Sequence, residues 1–236
     1  VDAGQRKLDL AQRLTTALAS ENVRWAENVV QLKQDKNLTV GNTLMAASFL
    51  SYVGPFTKPY RDRLLRTFTN HLNGTLKPKK GNGFAVPIPI PMTDNVDSLS
   101  MVADEAEQAS WQSCHLPDDR VSMENGALVV NSVRWPLMID PQGQANRYIK
   151  NMGKNPDFAA NDIDVTKLSD KNFLRTIENG VRFGKWVLLE NIGEHLDASL
   201  EPLLLQQKFK QGGTEMIKIG DNVIPWNDTF RFFMTT

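Results

Sequence analysis

The stretch from Arg134 to Lys150, RWPLMIDPQGQANRYIK, constrains this chain more than any other. Leu137, Met138 and Ile139 form a short apolar run that reads as a buried strand, and Asp140-Pro141-Gln142-Gly143 interrupts it. From Gln144 the residues favour helix, with Ala145, Tyr148, Ile149 and Met152 recurring at helical spacing. A strand, a glycine turn and a helix make a phosphate-binding geometry, because backbone N–H groups at the helix N-terminus point at the anion. The working pattern is G-x-x-x-x-G-K-[ST]. On that frame Pro141 and Gly143 fall where many such loops carry Pro and Gly. The first Gly of the pattern is Asp140, however, and the second is Ala145. Asn146 replaces the Lys that reaches the β/γ-phosphates, and Arg147 replaces the Ser/Thr that holds Mg²⁺. The scaffold of a nucleotide site is present without its chemical groups.

The C-terminal half repeats the alternation of strand and helix. Ile163, Val165 and Leu168 alternate within residues 162–168, a second strand. Asp170 can cap a helix running to Phe183, with Phe173, Leu174, Ile177 and Val181 on one side. Trp186–Leu189 is a buried strand ending in Glu190-Asn191, and Ala198–Phe209 reads as helix. Met216–Ile219 and Asn222–Trp226 flank Gly220-Asp221 as a hairpin. Phe230–Met234 is a last strand, ending in Thr235-Thr236. This order predicts a parallel α/β sheet wrapped by helices, with ligands at the carboxyl ends of its strands. In a P-loop enzyme the strand Trp186–Leu189 would end in Asp-Glu, an Mg²⁺-holding acid and a base for water. Glu190-Asn191 leaves that base out. Thr235 or Thr236 holds the place of the residue that senses the γ-phosphate.

Upstream the pattern is helical. Residues 5–32 contain no glycine or proline, and Ala11, Leu18, Trp25 and Leu32 recur every seven residues beside Leu8, Leu14 and Val29. Glu21 and Asn28 occupy the expected apolar d positions, so a long surface helix and the end of a coiled coil both remain open. Asn37–Gly41 is expected to break the helix, Thr43–Tyr52 to form a second, and Lys58–Leu72 a third. Asn73–Pro91, rich in Gly and Pro and carrying Lys77, Lys79 and Lys80, reads as a linker or surface loop. Asp97–Ser113 is expected to be helical, Ser122 to cap a short turn of helix, and Ala127–Val130 to be a strand. The domain boundaries follow as 1–36, 37–92 and 93–236.

Composition narrows the chemistry. Lys+Arg and Asp+Glu are both 27, and a net charge of zero argues against a dedicated nucleic-acid binder. Cys114 is the single cysteine, so an internal disulfide and a zinc cluster are excluded, and a reducing compartment is expected. No apolar run approaches the roughly 18 residues of a membrane span, and Val1 opens on a polar helical pattern rather than a signal peptide. The missing initiator Met and the stop at Thr236 suggest a fragment of something longer. His71, His115 and His195 sit in separate elements and form no ligand-spaced pair. Neither a catalytic residue nor a metal site is expected.

The motifs together resemble a known family. RWPLMIDPQGQANRYI (Arg134–Ile149) looks like the degenerate phosphate-loop segment of the fifth AAA+ module of dynein heavy chains. LPDDRVSMENG (Leu116–Gly126), WVLLENIGEHLDASLEPLL (Trp186–Leu204), the Ile219-Gly220-Asp221 turn and FRFFMTT (Phe230–Thr236) extend the similarity. LASENVRW (Leu18–Trp25) and SYVGPFTKPYRDRL (Ser51–Leu64) resemble the segment where the returning stalk helix re-enters the motor ring. DPQGQAN with LLENIGE looks more like axonemal than cytoplasmic dyneins.

The resemblance implies an AAA+ (P-loop NTPase-like) parallel sheet preceded by an all-α segment. Residues 1–36 would be the base of the stalk coiled coil, and 37–92 the end of the preceding module's lid. Residues 93–236 would be the large subdomain of the fifth module, cut after its sensor strand. It further implies a non-catalytic ring module that passes conformational change between the ring and the microtubule-binding stalk. Asp140, Pro141, Gln142, Gly143, Gln144, Ala145, Asn146 and Arg147 would then be a degenerate phosphate loop. Glu190 and Asn191 would be a degenerate Walker B pair, with Thr235 and Thr236 sensor-like. No cofactor is expected here, ATP and Mg²⁺ belonging to other modules of the parent chain. The implied partners are neighbouring AAA+ modules and, through the distal stalk, the microtubule, with neither nucleic acid nor membrane. The implied location is cytoplasmic and cytoskeletal, in the axoneme of a cilium or flagellum. Two other readings stay open: an active P-loop NTPase with an unusual loop, and an AAA+-like scaffold with the long helix as a partner-binding arm.

Overall fold

The computed structural model describes residues 2–74, 89–156, 158 and 163–236. The chain divides into two compact units, Val1–Phe49 with Pro59–Ser98 and Leu50–Lys58 with Leu99–Thr236.

The first unit is helical. Helix α1, Asp2–Tyr52, is a single element of 51 residues. The helix expected over residues 5–32 is therefore present and continues without the break expected at Asn37–Gly41. Thr39 helps explain the continuity, since its hydroxyl donates to the Asp35 carbonyl at 2.9 Å and is satisfied inside the helix. Gly41 is there for packing rather than for breaking: a Cβ built on it would lie 2.3 Å from the Pro91 carbonyl oxygen. The Asn42 amide fastens the same spot, donating to Thr93 Oγ1 at 2.8 Å and accepting from the Thr93 N–H at 2.9 Å. Helix α2, Lys58–Leu72, covers Met45 and Met92 with Leu65, Phe68 and Leu72. Most of the linker expected over Asn73–Pro91, including its lysines, lies outside the described residues.

The second unit carries the sheet. Helix α3, Glu105–Ser113, is shorter than the expected Asp97–Ser113. It starts where Asp104 and Glu107 close a reciprocal capping box. Helix α4, Arg120–Asn131, is capped by Asp119 and includes Ala127–Val130, expected to be a strand. Helix wins there because Met123, Gly126 and Ala127 form one buried face. Gly126 lets the buried Trp111 ring come close, within 3.0 Å of where a Cβ would stand.

Strand β1, Leu137–Met138, is followed by helix α5, Gln144–Lys154, and strand β2, Ile163–Lys167. Helix α6, Phe173–Phe183, begins after Asn172, so the Asp170 cap expected for it is not formed. Asp170 instead accepts from the Lys167 N–H at 2.8 Å. Strand β3 is Trp186–Glu190. The helix expected over Ala198–Phe209 shrinks to a 3₁₀ turn, Ala198–Leu200, and helix α7, Glu201–Leu204. Beyond it Lys208–Gln211 becomes strand β4, because Gly212-Gly213 turns it back onto β5, Thr214–Ile219, which pairs in turn with β6, Asn222–Pro225. Strand β7, Arg231–Thr235, closes the order.

The main sheet of the described residues is parallel, in the order β1-β7-β3-β2. The last strand, β7, lies between β1 and β3, and β1 stands at the edge of this sheet among the described residues. On one face Val187, Leu189, Phe232 and Met234 pack with Ile177 and Val181 of α6 and with Ile217, Ile219 and Ile224 of the small antiparallel sheet. On the other, Trp186 and Phe233 line a cavity together with Val129 and Val130 of α4 and Met152 of α5. This two-sided burial explains why β3 is apolar from Trp186 to Leu189, ahead of its terminal Glu190. No helix among the described residues is long and apolar enough to cross a membrane.

Candidate functional site

The parallel register brings the carboxyl ends of three strands together. Met138 pairs with Thr235 between β1 and β7, and Leu189 with Met234 between β7 and β3. Asp140 follows β1, Glu190 ends β3 and Thr235 ends β7. The sequence-expected site residues therefore share one edge of the sheet.

The loop between β1 and α5 turns at Gly143. Gly143 takes a left-handed conformation, φ +73°, which glycine adopts without the steric cost of a Cβ. Pro141, Gln142, Gly143 and Gln144 are exposed, while Ala145 and Asn146 are half-buried at the helix start. The helix N-terminus already holds an anion: Asp140 Oδ2 accepts from the Asn146 N–H at 2.8 Å. A carboxylate there is favoured by the unpaired N–H groups and by the helix dipole. Arg147 is exposed and makes no ion pair with the described residues. The Asp140 carboxylate turns to the helix backbone rather than to this arginine.

The strand end is occupied as well. Glu190 Oε1 accepts from Asn146 Nδ2 at 2.6 Å and from Lys150 Nζ at 2.5 Å. Its side chain is only 12% exposed. Burial pushes the Glu190 carboxyl up. Hydrogen bonds from Asn146 and Lys150, with the charges of Lys150 and Lys167, outweigh that and hold it below the usual carboxylate range. Asn191 is exposed and sits in the left-handed region, φ +54°, where asparagine is among the better-tolerated residues. It turns the chain so that the Ile192 N–H donates to the Thr235 carbonyl at 2.9 Å. Thr235 is buried. Thr236 is exposed, and its N–H donates to the Met138 carbonyl at 3.1 Å.

Sequence reasoning missed Lys150. It stands four residues after Asn146, so both reach one acceptor from one helix face. That spacing was visible in the sequence, but the acceptor, a strand end 40 residues away, was not. A second attachment of α5 was also missed: Asn151 Nδ2 donates to the Cys114 carbonyl at 3.2 Å and lies 3.1 Å from His115 Nδ1. Among the described residues no group of His, Cys, Asp and Glu could hold a metal ion.

The family described as the ATP-binding dynein motor region matches residues 109–236, and that described as the microtubule-binding stalk of dynein motor matches residues 1–72. The chain belongs to the dynein heavy-chain family. It is 42% identical over 232 residues to dynein axonemal heavy chain 1 of Homo sapiens and 41% identical over 232 residues to that of Mus musculus. It is 39% identical over 235 residues to dynein axonemal heavy chain 17 of Mus musculus. These alignments cover 98%, 98% and 100% of this dynein chain and 5% of each relative. The chain thus spans about a twentieth of the length of the curated relatives it matches.

Proposed function

We propose that this chain is a non-catalytic AAA+ ring module of an axonemal dynein, the fifth of its ring. It passes conformational change between the ring and a microtubule-binding stalk by rigid-body motion. The observation that carries the reading is the Asp140 carboxylate on the Asn146 N–H at 2.8 Å, where a phosphate loop would offer that N–H to a ligand. A polyphosphate would meet a fixed negative charge there. The loop's one cation, Arg147, faces solvent, and Asn191 supplies no base. ATP with Mg²⁺ does not fit these residues. Its hydrolysis belongs to other modules of the parent protein, and the working location is the axoneme.

The stalk assignment is supported by α1. Leu14, Leu18, Trp25, Val29 and Leu32 fall on one side of that helix and are all exposed, an apolar stripe suited to an antiparallel coiled-coil partner. The full-length protein is expected to continue α1 upstream as such a coiled coil. A full-length sequence without heptads ahead of Val1 would favour the scaffold reading.

The second reading, a nucleotide-binding module, draws on the description of the matching family as ATP-binding. Calorimetric titration of this chain with Mg-ATP and Mg-ADP separates the two. A flat response into the high micromolar range is expected, and micromolar binding would revive the enzyme reading.

A further inference from the structure

We propose that Asn146, Lys150 and Glu190 form a latch that fixes helix α5 to the carboxyl end of β3 without any ligand. The inference rests on the reading that no nucleotide enters this loop. In a working phosphate loop the helix and the acidic strand end are joined indirectly, through the phosphates that the Lys contacts and the Mg²⁺ that the acid helps hold. Here the join is direct. Asn146 Nδ2 and Lys150 Nζ both donate to Glu190 Oε1, at 2.6 and 2.5 Å.

Three features separate this cluster from an ordinary surface ion pair. The acceptor is 12% exposed, so solvent screens it little. Its two donors are successive residues of one helix face, so α5 cannot rotate or slide along β3 without losing both. The acceptor strand is held by parallel pairing on both sides, β7 on one and β2 on the other. Lys167, the β2 residue registered against Glu190, adds positive charge from the side opposite β7.

The other side of α5 is held too. Asn151 bonds the Cys114 carbonyl beyond α3, and Tyr148, Ile149 and Met152 are buried. The helix is thus attached by polar bonds on two elements and by an apolar face between them. An α5 held in this way keeps one position whatever nucleotide is present in solution. In that respect Lys150 is a positioning residue, acting through Glu190 on the helix that carries the loop.

Hydrogen exchange of α5 peptides in the full-length protein tests the latch. Lys150→Met and Glu190→Gln should each speed exchange over the first two turns of α5 by about tenfold, as loss of a charge-assisted bond implies. The double variant should be no faster than either single one, since both remove the same interaction. Lys150→Arg should restore slow exchange, and Arg147→Met should change nothing. Unchanged exchange in the single variants, additive effects in the double, or Lys150→Arg behaving like Lys150→Met would overturn the proposal. Calorimetric titration of this chain with Mg-ATP separates this failure from failure of the functional reading. Binding to this chain would sink the nucleotide-free reading and the latch with it, whereas additive variants with a flat titration would sink the latch alone.

Discussion

Lys150 Nζ meets Glu190 Oε1 at 2.5 Å, one helical turn beyond the Asn146 that stands where a phosphate loop carries its lysine. A cation of α5 thus has its counter-ion in a side chain of the same fold. At the helix N-terminus the Asp140 carboxylate likewise accepts from the Asn146 N–H.

The Glu190 carboxyl should make stability depend on pH in one direction. Its folded-state pKa lies below its ordinary value of 4.5, so its contribution is fully present above that value. The contribution is lost as pH falls through the depressed folded-state value. Glu190→Gln should cost about 1–2 kcal/mol near pH 7, discounted for the partly exposed Lys150. Denaturant titrations of the unmodified chain and of Glu190→Gln should converge as pH drops below 4.5. Curves that stay parallel would show that Glu190 keeps its ordinary pKa.

Tyr148 offers the opposite case, a polar group without a bond. The residue is 2% exposed, and its hydroxyl has no hydrogen-bond partner among the described residues. Burial, with a smaller contribution from the nearby Cys114, pushes its pKa up and keeps it neutral. Removing a buried unsatisfied hydroxyl relieves its desolvation cost, so Tyr148→Phe should be neutral or stabilising by up to about 1 kcal/mol. Urea unfolding measures this. A loss above 1 kcal/mol would mean that the hydroxyl is bonded, through an internal water for example.

Gly41 decides between two readings of one residue. As a helix breaker it would be improved by alanine, which is worth about 1 kcal/mol over glycine inside a helix. As a contact residue it has no room, because the new methyl would sit 2.3 Å from the Pro91 carbonyl oxygen and 2.8 Å from Met92 Cβ. Overpacking of this kind typically costs about 1–3 kcal/mol, more than propensity returns. Gly41→Ala should therefore lower the thermal midpoint, and a raised midpoint would show that the Pro91 contact yields at less cost than helix propensity returns.

The same residue shows what the sequence could and could not reveal. The strands that bury both faces were readable because their apolar runs are long and bounded, as at Trp186–Glu190. The loop residues were readable because a motif fixes their spacing. Ala127–Val130 was misread as strand because a short apolar run has no period of its own, and the buried face that Ala127 shares with Met123 and Gly126 made it helix. Lys208–Gln211 was misread as helix because its state is set by pairing with Thr214–Ile219 across a glycine turn. Gly41 and Lys150 depend on partners 50 and 40 residues away, Pro91 and Glu190, and no local pattern encodes those.

Rebuilding the loop should show which group closes it. The triple change Ala145→Gly, Asn146→Lys, Arg147→Thr supplies the residues the pattern lacks. It leaves the Asp140 carboxylate on the residue-146 N–H, however, facing the position a β-phosphate would take. A like charge fixed against a triphosphate opposes binding, so the triple variant should titrate flat or nearly so with Mg-ATP. Adding Asp140→Gly removes that charge and restores the first glycine of the pattern. The quadruple variant should then bind Mg-ATP at least tenfold more tightly than the triple, a difference of about 1.4 kcal/mol. Turnover should remain absent in both, because Asn191 cannot take a proton from water. Tight binding by the triple variant alone would show that the Asp140 carboxylate is no obstacle. In that case the missing lysine and glycine, rather than the internal anion, would be what keeps nucleotide out.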